Sequence, residues 1–113
     1  LAAIESGLQL FREEDFSGIE YPVGGRFIDI LAVDRSGGFV VIELKVSRGY
    51  DRTIGQILRY MGWVQKNLAE GRVVRGVIVA KEISEDLRIA ASLIPSVQLV
   101  EYEISFKLRP IPS

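Results

Sequence analysis

The 113-residue chain contains no cysteine and no histidine. Without cysteine there is no disulfide framework, no zinc–thiolate site and no thiol nucleophile. Without histidine there is no Ser-His or Cys-His catalysis, no imidazole-ligated zinc or iron and no histidine pH switch. Chemistry is left to carboxylates, lysine, arginine, tyrosine, glutamine and the backbone. That set suits a hard, oxygen-seeking cation such as Mg²⁺. No apolar run approaches the ~20 residues a membrane helix needs, so no membrane partner is expected. No signal peptide or targeting tail is legible. A cysteine-free chain fits a reducing compartment, and a cytoplasmic location is expected. The chain opens at Leu1 rather than Met, as expected of one domain of a longer protein.

What is present is globular. Hydrophobic residues make up 48% and charged residues 26%, which separates the chain from disordered sequences. Its length predicts a single domain over residues 1–113 with a real core. Net charge is only −1, but the charges are unevenly placed. Residues 1–34 hold seven acids and two bases, whereas residues 43–76 hold seven bases and three acids. Carboxylates for a cation beside bases for a polyanion suit a metal-dependent phosphodiester enzyme. A solvated charged face accounts for the same distribution.

Leu1, Ile4, Leu8 and Phe11 are spaced as one face of a helix. Residues 16–22 form a short strand ending at Pro22, and Gly24-Gly25 marks a turn. Arg26 to Val33 and Phe39 to Val46 are β-branched and apolar, as strands are. Asp51 can cap a long helix to about Ala69, with Gly71 just beyond it. Val73 to Ala80 is apolar on both faces and reads as a central, covered strand. Ser84 caps a second helix whose first turn carries Glu85 and Asp86, where the dipole favours anions. Pro95 stops it, and Val97 to Leu108 is a last strand. The order α-β-β-β-α-β-α-β predicts an α/β fold with a mixed central sheet flanked by helices.

The segment Asp34-Arg35-Ser36-Gly37-Gly38 joins two of these strands. A three-residue hairpin loop is commonly a type I turn followed by a left-handed residue, and Gly37 suits that place. With Arg35 to Gly37 as the loop, Asp34 faces Gly38 and Asp29 faces Glu43. Like charges opposed on a strand pair destabilise it, and both lie in apolar runs where burying an anion costs several kcal/mol. A divalent cation between them relieves the conflict. Lys45 shares the face of Glu43 by the period of two. A structural Glu43–Lys45 pair, with Asp29 at an exposed edge, is the alternative. A one-residue slip also separates the two acids.

In the following helix, Ile54, Ile57, Leu58, Met61, Val64 and Leu68 form the expected core stripe. The opposite side carries Arg52, Gln56, Arg59, Tyr60, Trp63 and Lys66. Bases with two large aromatics suit phosphates and stacked bases. Packing of Tyr60 and Trp63 on a neighbouring loop, with Gln56 a solvated amide, fits equally. Gly55 and Gly62 each cost about 1 kcal/mol in a helix interior, for which close approach by another element or by nucleic acid is a reason.

These residues together resemble the PD-(D/E)xK nuclease superfamily, and within it the catalytic domain of NucS/EndoMS-type endonucleases. The resemblance rests on Gly25-Arg26-Phe27-Ile28-Asp29-Ile30-Leu31-Ala32, Val40-Val41-Ile42-Glu43-Leu44-Lys45 and Gly55-Gln56-Ile57-Leu58-Arg59-Tyr60. Val74-Arg75-Gly76-Val77-Ile78-Val79-Ala80 and Ile4-Glu5-Ser6-Gly7-Leu8 add to it. D…ExK alone occurs by chance; followed by QxxxY on a helix, it is specific. The resemblance implies a restriction-endonuclease-like fold. It implies a Mg²⁺- or Mn²⁺-dependent DNA endonuclease of repair or defence that leaves 5′-phosphate and 3′-hydroxyl ends. Asp29, Glu43 and the Leu44 carbonyl are then metal ligands. Lys45 positions or activates water, Gln56 and Tyr60 support the site, and Glu5 is an auxiliary acid. Arg26, Arg48, Arg52, Arg59, Trp63 and Lys66 are the expected nucleic-acid contacts. Single-stranded, branched or mismatched DNA is expected over plain duplex. The N-terminal DNA-binding and dimerisation domain of NucS-type enzymes has no counterpart here. The alternative function is a nuclease fold used as a DNA-binding or assembly module without catalysis. The long last strand, apolar at Val100, Tyr102, Ile104, Phe106 and Leu108, suits pairing with a second chain in a homodimer.

Overall fold

The β-branched runs of the sequence build the middle of one sheet. The structure, a computed structural model, describes residues 1–45 and 52–112. Six strands are formed: β1 (Gln9–Leu10), β2 (Ile19–Val23), β3 (Arg26–Val33), β4 (Phe39–Lys45), β5 (Val74–Ala80) and β6 (Val97–Glu101). Helix α1 (Thr53–Asn67) lies between β4 and β5, and α2 (Glu85–Ala91) between β5 and β6. The sheet order is β1-β3-β4-β5-β6, with β2 also paired to β3. Pairing is antiparallel up to β4 and parallel from β4 to β6. The predicted mixed sheet with flanking helices is present.

β4 and β5 are covered on both faces, which is why they read as unbroken apolar runs. On one face, Phe39, Val41 and Ile78 pack with Ile57, Met61 and Val64 of α1 and Leu87 of α2. On the other, Val40, Ile42, Val77 and Val79 pack with Leu8, Leu1 and Ile4. Both helices thus lie on one side and the N-terminal segment on the other. Ser84 caps α2 as expected, its hydroxyl accepting the Leu87 N–H at 3.1 Å. Among the described residues no helix is long and apolar enough to cross a membrane.

Three expectations are corrected. The first eleven residues are turns followed by β1, not a helix. Leu1, Ile4 and Leu8 do share one side, but Gly7 adopts a positive φ of +87° that interrupts any helix. Phe11 then crosses to the other face and meets Tyr21 and Phe39 edge-on. Second, α1 begins at Thr53 behind Arg52, whose side chain makes no cap; Asp51, the expected cap, lies outside the described residues. Third, the last strand ends at Glu101 rather than near Leu108. β5 stops at Ala80, whose carbonyl accepts the Tyr102 N–H. Beyond that point no strand among the described residues pairs with the chain, and residues 102–112 are exposed.

Candidate active site

The β3–β4 hairpin sets the register of everything that follows. Gly37 takes the left-handed conformation at φ +86°. The Asp34 carboxylate accepts the N–H groups of Ser36 and Gly38 at 3.0 and 2.9 Å and the Ser36 hydroxyl at 2.6 Å. These bonds hold that carboxyl below its usual range, with Ser36 the largest cause. The ladder then runs Val33↔Phe39, Ala32↔Val40, Leu31↔Val41 and Ile30↔Ile42. This is the register that sets Asp29 opposite Glu43.

At Asp29 the backbone ladder is replaced by a side chain. The Asp29 carboxylate accepts the Leu44 N–H at 2.8 Å. The N–H and C=O of one strand residue leave the same edge, so the Leu44 carbonyl also faces the β3 side. Glu43 alternates with Val41 and Phe39 and projects to the helix-bearing face. It is 9% exposed. Its Oε1 accepts the Gln56 side-chain amide at 3.0 Å. Its Oε2 is buried and, among the described residues, has no hydrogen-bond partner. Burial, and secondarily the charge of Asp29, push the Glu43 carboxyl from 4.5 to about 7.

An orphaned carboxylate oxygen beside a second carboxylate fits a divalent cation, because the ion supplies the missing partner and cancels the repulsion. Among the described residues no group of three or more acids is assembled. Two carboxylates completed by a backbone carbonyl and water is an arrangement Mg²⁺ commonly takes. Lys45 alternates with Glu43 on the same face and is half-buried.

Helix α1 returns over β4 and carries Gln56 to Glu43. The same amide lies 3.2 Å from the Tyr60 hydroxyl, so Gln56 and Tyr60, one turn apart, hold Glu43 from behind. Tyr60 does not sit on an outward face as its place in the sequence stripe suggests. It is 3% exposed, while Leu58, expected in the core, is 39% exposed. The helix is rotated so that Ile57, Tyr60, Met61 and Val64 face inward. A tyrosine can take this place because its ring is apolar and its hydroxyl finds a partner.

Glu5 is not part of this constellation. It pairs with Arg75 at 2.5 Å, and Arg75 also bonds Asp34 at 3.2 Å. Arg75 alternates with Val77 and Val79, on the face away from the helices, three residues along the β4–β5 pair from Glu43. The residue expected as an auxiliary acid thus stands apart from Asp29 and Glu43. Glu5 fastens the N-terminal segment to the hairpin, and its bond is the largest of the causes that raise the Arg75 pKa.

Of the expected nucleic-acid contacts, Arg26, Arg59, Trp63 and Lys66 surround one groove of about 400 Å³, floored by Tyr60. Gly62 also lines it, and a Cβ there would meet nothing within 4 Å. Gly55 is equally open, so neither glycine serves a close approach by another part of the protein among the described residues. Trp63 does both things the sequence allowed. It packs edge-on against Tyr21 and lines the groove. Arg52 stands at the start of α1 outside the groove, and Arg48 lies outside the described residues. The opposite wall, Val23 and Gly24 of the β2–β3 turn, gave no signal in the sequence beyond its glycines.

Residues 3–99 match the family described as the Endonuclease NucS C-terminal domain. Endonuclease NucS of Pyrococcus furiosus is 35% identical over 83 residues, 73% of this chain and 28% of its own length. That of Parafrankia sp. is 29% identical over 109 residues, 96% of this chain and 46% of its own. A crystal structure of a repair endonuclease from Pyrococcus abyssi shares the fold with a TM-score of 0.72 at 24% identity, covering 90% of this chain and 41% of that one. The structure of an EndoMS–dsDNA complex does so with a TM-score of 0.66 at 20% identity, covering 89% and 39%. The chain thus spans less than half the length of these proteins.

Proposed function

Because the chain belongs to the Endonuclease NucS C-terminal domain family, we propose that residues 1–113 form the catalytic domain of a metal-dependent DNA repair endonuclease. The observation that carries this reading is the buried Oε2 of Glu43 beside Asp29, without a partner among the described residues. A structural acid in an apolar sheet would be satisfied or replaced.

Asp29, Glu43 and the Leu44 carbonyl hold Mg²⁺ or Mn²⁺ in this reading. When bound, the cation polarises a phosphoryl oxygen and lowers the pKa of its water. Lys45 places positive charge where the phosphoryl oxygens gain negative charge. Gln56 fixes the orientation of Glu43, and Tyr60 fixes Gln56. Water attacks phosphorus and the bond to the 3′ oxygen breaks, leaving a 5′-phosphate and a 3′-hydroxyl. Arg26, Arg59 and Lys66 hold backbone phosphates along the groove. Trp63 offers a flat face to an unpaired base, which favours single-stranded, branched or mismatched DNA over plain duplex.

Labelled DNA of these four kinds, incubated with the protein and Mn²⁺, tests the reading. Cleavage that requires metal and disappears in Asp29→Asn and Glu43→Gln is expected. Full activity in either variant refutes the site. No cleavage and no calorimetric metal binding at millimolar Mn²⁺ leaves a DNA-binding module without catalysis.

A further inference from the structure

The tip of the β2–β3 hairpin stands clear of the rest of the protein. Val23 pairs with Arg26, so Gly24 and Gly25 form a two-residue loop. Both take positive φ, +56° and +84°, as a tight hairpin turn of this kind requires. Among the described residues nothing lies within 4 Å of a Cβ built at either glycine. Pro22, in the edge strand β2, stiffens the approach to the turn. The two sides of this blade differ. Val23 and Ile28 turn to the helix-bearing face, and Val23, Gly24 and Arg26 wall the basic groove there. Phe27 alternates with Ile28 and so projects from the opposite face, across from Pro22. It is 58% exposed, so its ring adds little to the core. Asp29 follows two residues along the same strand, about 7 Å away at the usual rise.

We propose that this hairpin is a strand-separating pin. Phe27 stacks on the last base pair of a duplex where its strands part. One released strand passes over Gly24-Gly25 into the groove along Arg26, Arg59, Trp63 and Lys66. The chemistry of the two sides fits that division. A phenyl ring offers an apolar plane to a base pair, and apolar wedges of this kind unstack a duplex. Cationic side chains around an indole ring suit a single strand, whose phosphates need charge and whose bases need stacking. The glycine tip lets a strand come close to the backbone, since no side chain stands between them. The pin presupposes the nuclease reading, in which the groove holds DNA, and adds the residue that selects a junction. The short step from Phe27 to Asp29 sets the cut within a few nucleotides of that junction.

Fluorescence anisotropy in chelator separates the two contacts without cleavage. The 113-residue chain should bind a forked duplex about tenfold more tightly than oligothymidine as long as one arm. Phe27→Ala should lose that tenfold on the fork and keep its affinity for oligothymidine; Phe27→Trp should keep both. Oligothymidine should quench Trp63, the single tryptophan of the chain, equally in wild type and Phe27→Ala. With Mn²⁺, Phe27→Ala should cut a fully paired junction about tenfold more slowly, and mismatching the two pairs at the junction should restore the rate. Phe27 is exposed, and circular dichroism should show an unchanged fold. A Phe27→Ala variant that binds the fork as wild type does, or that loses oligothymidine to the same degree, overturns the pin and leaves the nuclease reading in place. So does a cleavage rate that the mismatches fail to restore. A wild type that binds neither DNA overturns both.

Discussion

Glu43 carries the electrostatic conflict of the site. Its carboxyl is raised from 4.5 to about 7 by burial and then by Asp29, so the folded chain holds its proton more tightly than the unfolded chain. Below the unfolded value the residue is neutral in both states and costs nothing. Between 4.5 and about 7 the unfolded chain ionises first, and stability falls as pH rises. Above that window both states are ionised, and a penalty on the order of 3 kcal/mol persists. Glu43→Gln should therefore stabilise the metal-free protein by about that much near pH 8 and by nothing near pH 4. Urea unfolding in chelator at both pH values measures it; equal stability of the two proteins at the higher pH contradicts a buried anion here. Gln56 acts through Glu43. Gln56→Ala leaves Oε1 without its donor and frees the carboxylate to rotate. Cleavage should fall about 10- to 100-fold, with fold and DNA affinity kept. A loss of DNA affinity instead would make Gln56 a substrate contact.

At the scale of elements, the hairpin was legible and the helix faces were less so. Loop length and Gly37 determine the β3–β4 register, because side chains alternate strictly and one residue of slip exchanges the faces. That is why Asp29 and Glu43 could be brought together from sequence. Tyr60 was misplaced because periodicity counts a tyrosine as surface among bases, while its ring packs inward and its hydroxyl meets Gln56. Leu1, Ile4, Leu8 and Phe11 fit helical spacing, yet the segment satisfies it with turns, Gly7 and a two-residue strand. Spacing alone could not place Glu5 either: its pairing with Arg75 sets it on the opposite face and three residues along the β4–β5 pair from Glu43. Gly18 tests how tightly that edge is built. Its carbonyl accepts the Leu31 N–H at 2.7 Å, and an added Cβ would lie 2.1 Å from the Leu31 carbonyl oxygen. Backbone cannot yield there, so Gly18→Ala should cost about 2 kcal/mol or more, read as a lower urea midpoint. The groove gives a separate prediction. Arg59→Ala and Lys66→Ala should each weaken DNA binding at low salt and flatten the slope of log K against log salt by about 0.7–0.9. An unchanged slope would place the phosphates elsewhere.

Across the whole molecule, the two ends of the sheet are held differently. At the hairpin end, Arg75 ties Glu5 to Asp34, and Arg72 lies over the Phe39 ring at 4.4 Å. Opposite charges meet there. At the other end Asp29 and Glu43 bring like charges together. An ion bound at that end would relieve this like-charge contact, and so couple to global stability. A ligand at tenfold excess over its dissociation constant adds about 1.4 kcal/mol, which is about 5–10 °C in Tm for a chain of this size. Thermal unfolding of the wild type should shift upward by that amount with saturating Mn²⁺ or Mg²⁺. Glu43→Gln should begin higher in chelator and respond little, so that added metal narrows the gap between the two proteins. A wild type whose Tm ignores millimolar Mn²⁺, or a variant that gains as much from it, would mean that the ion does not sit between these two strands.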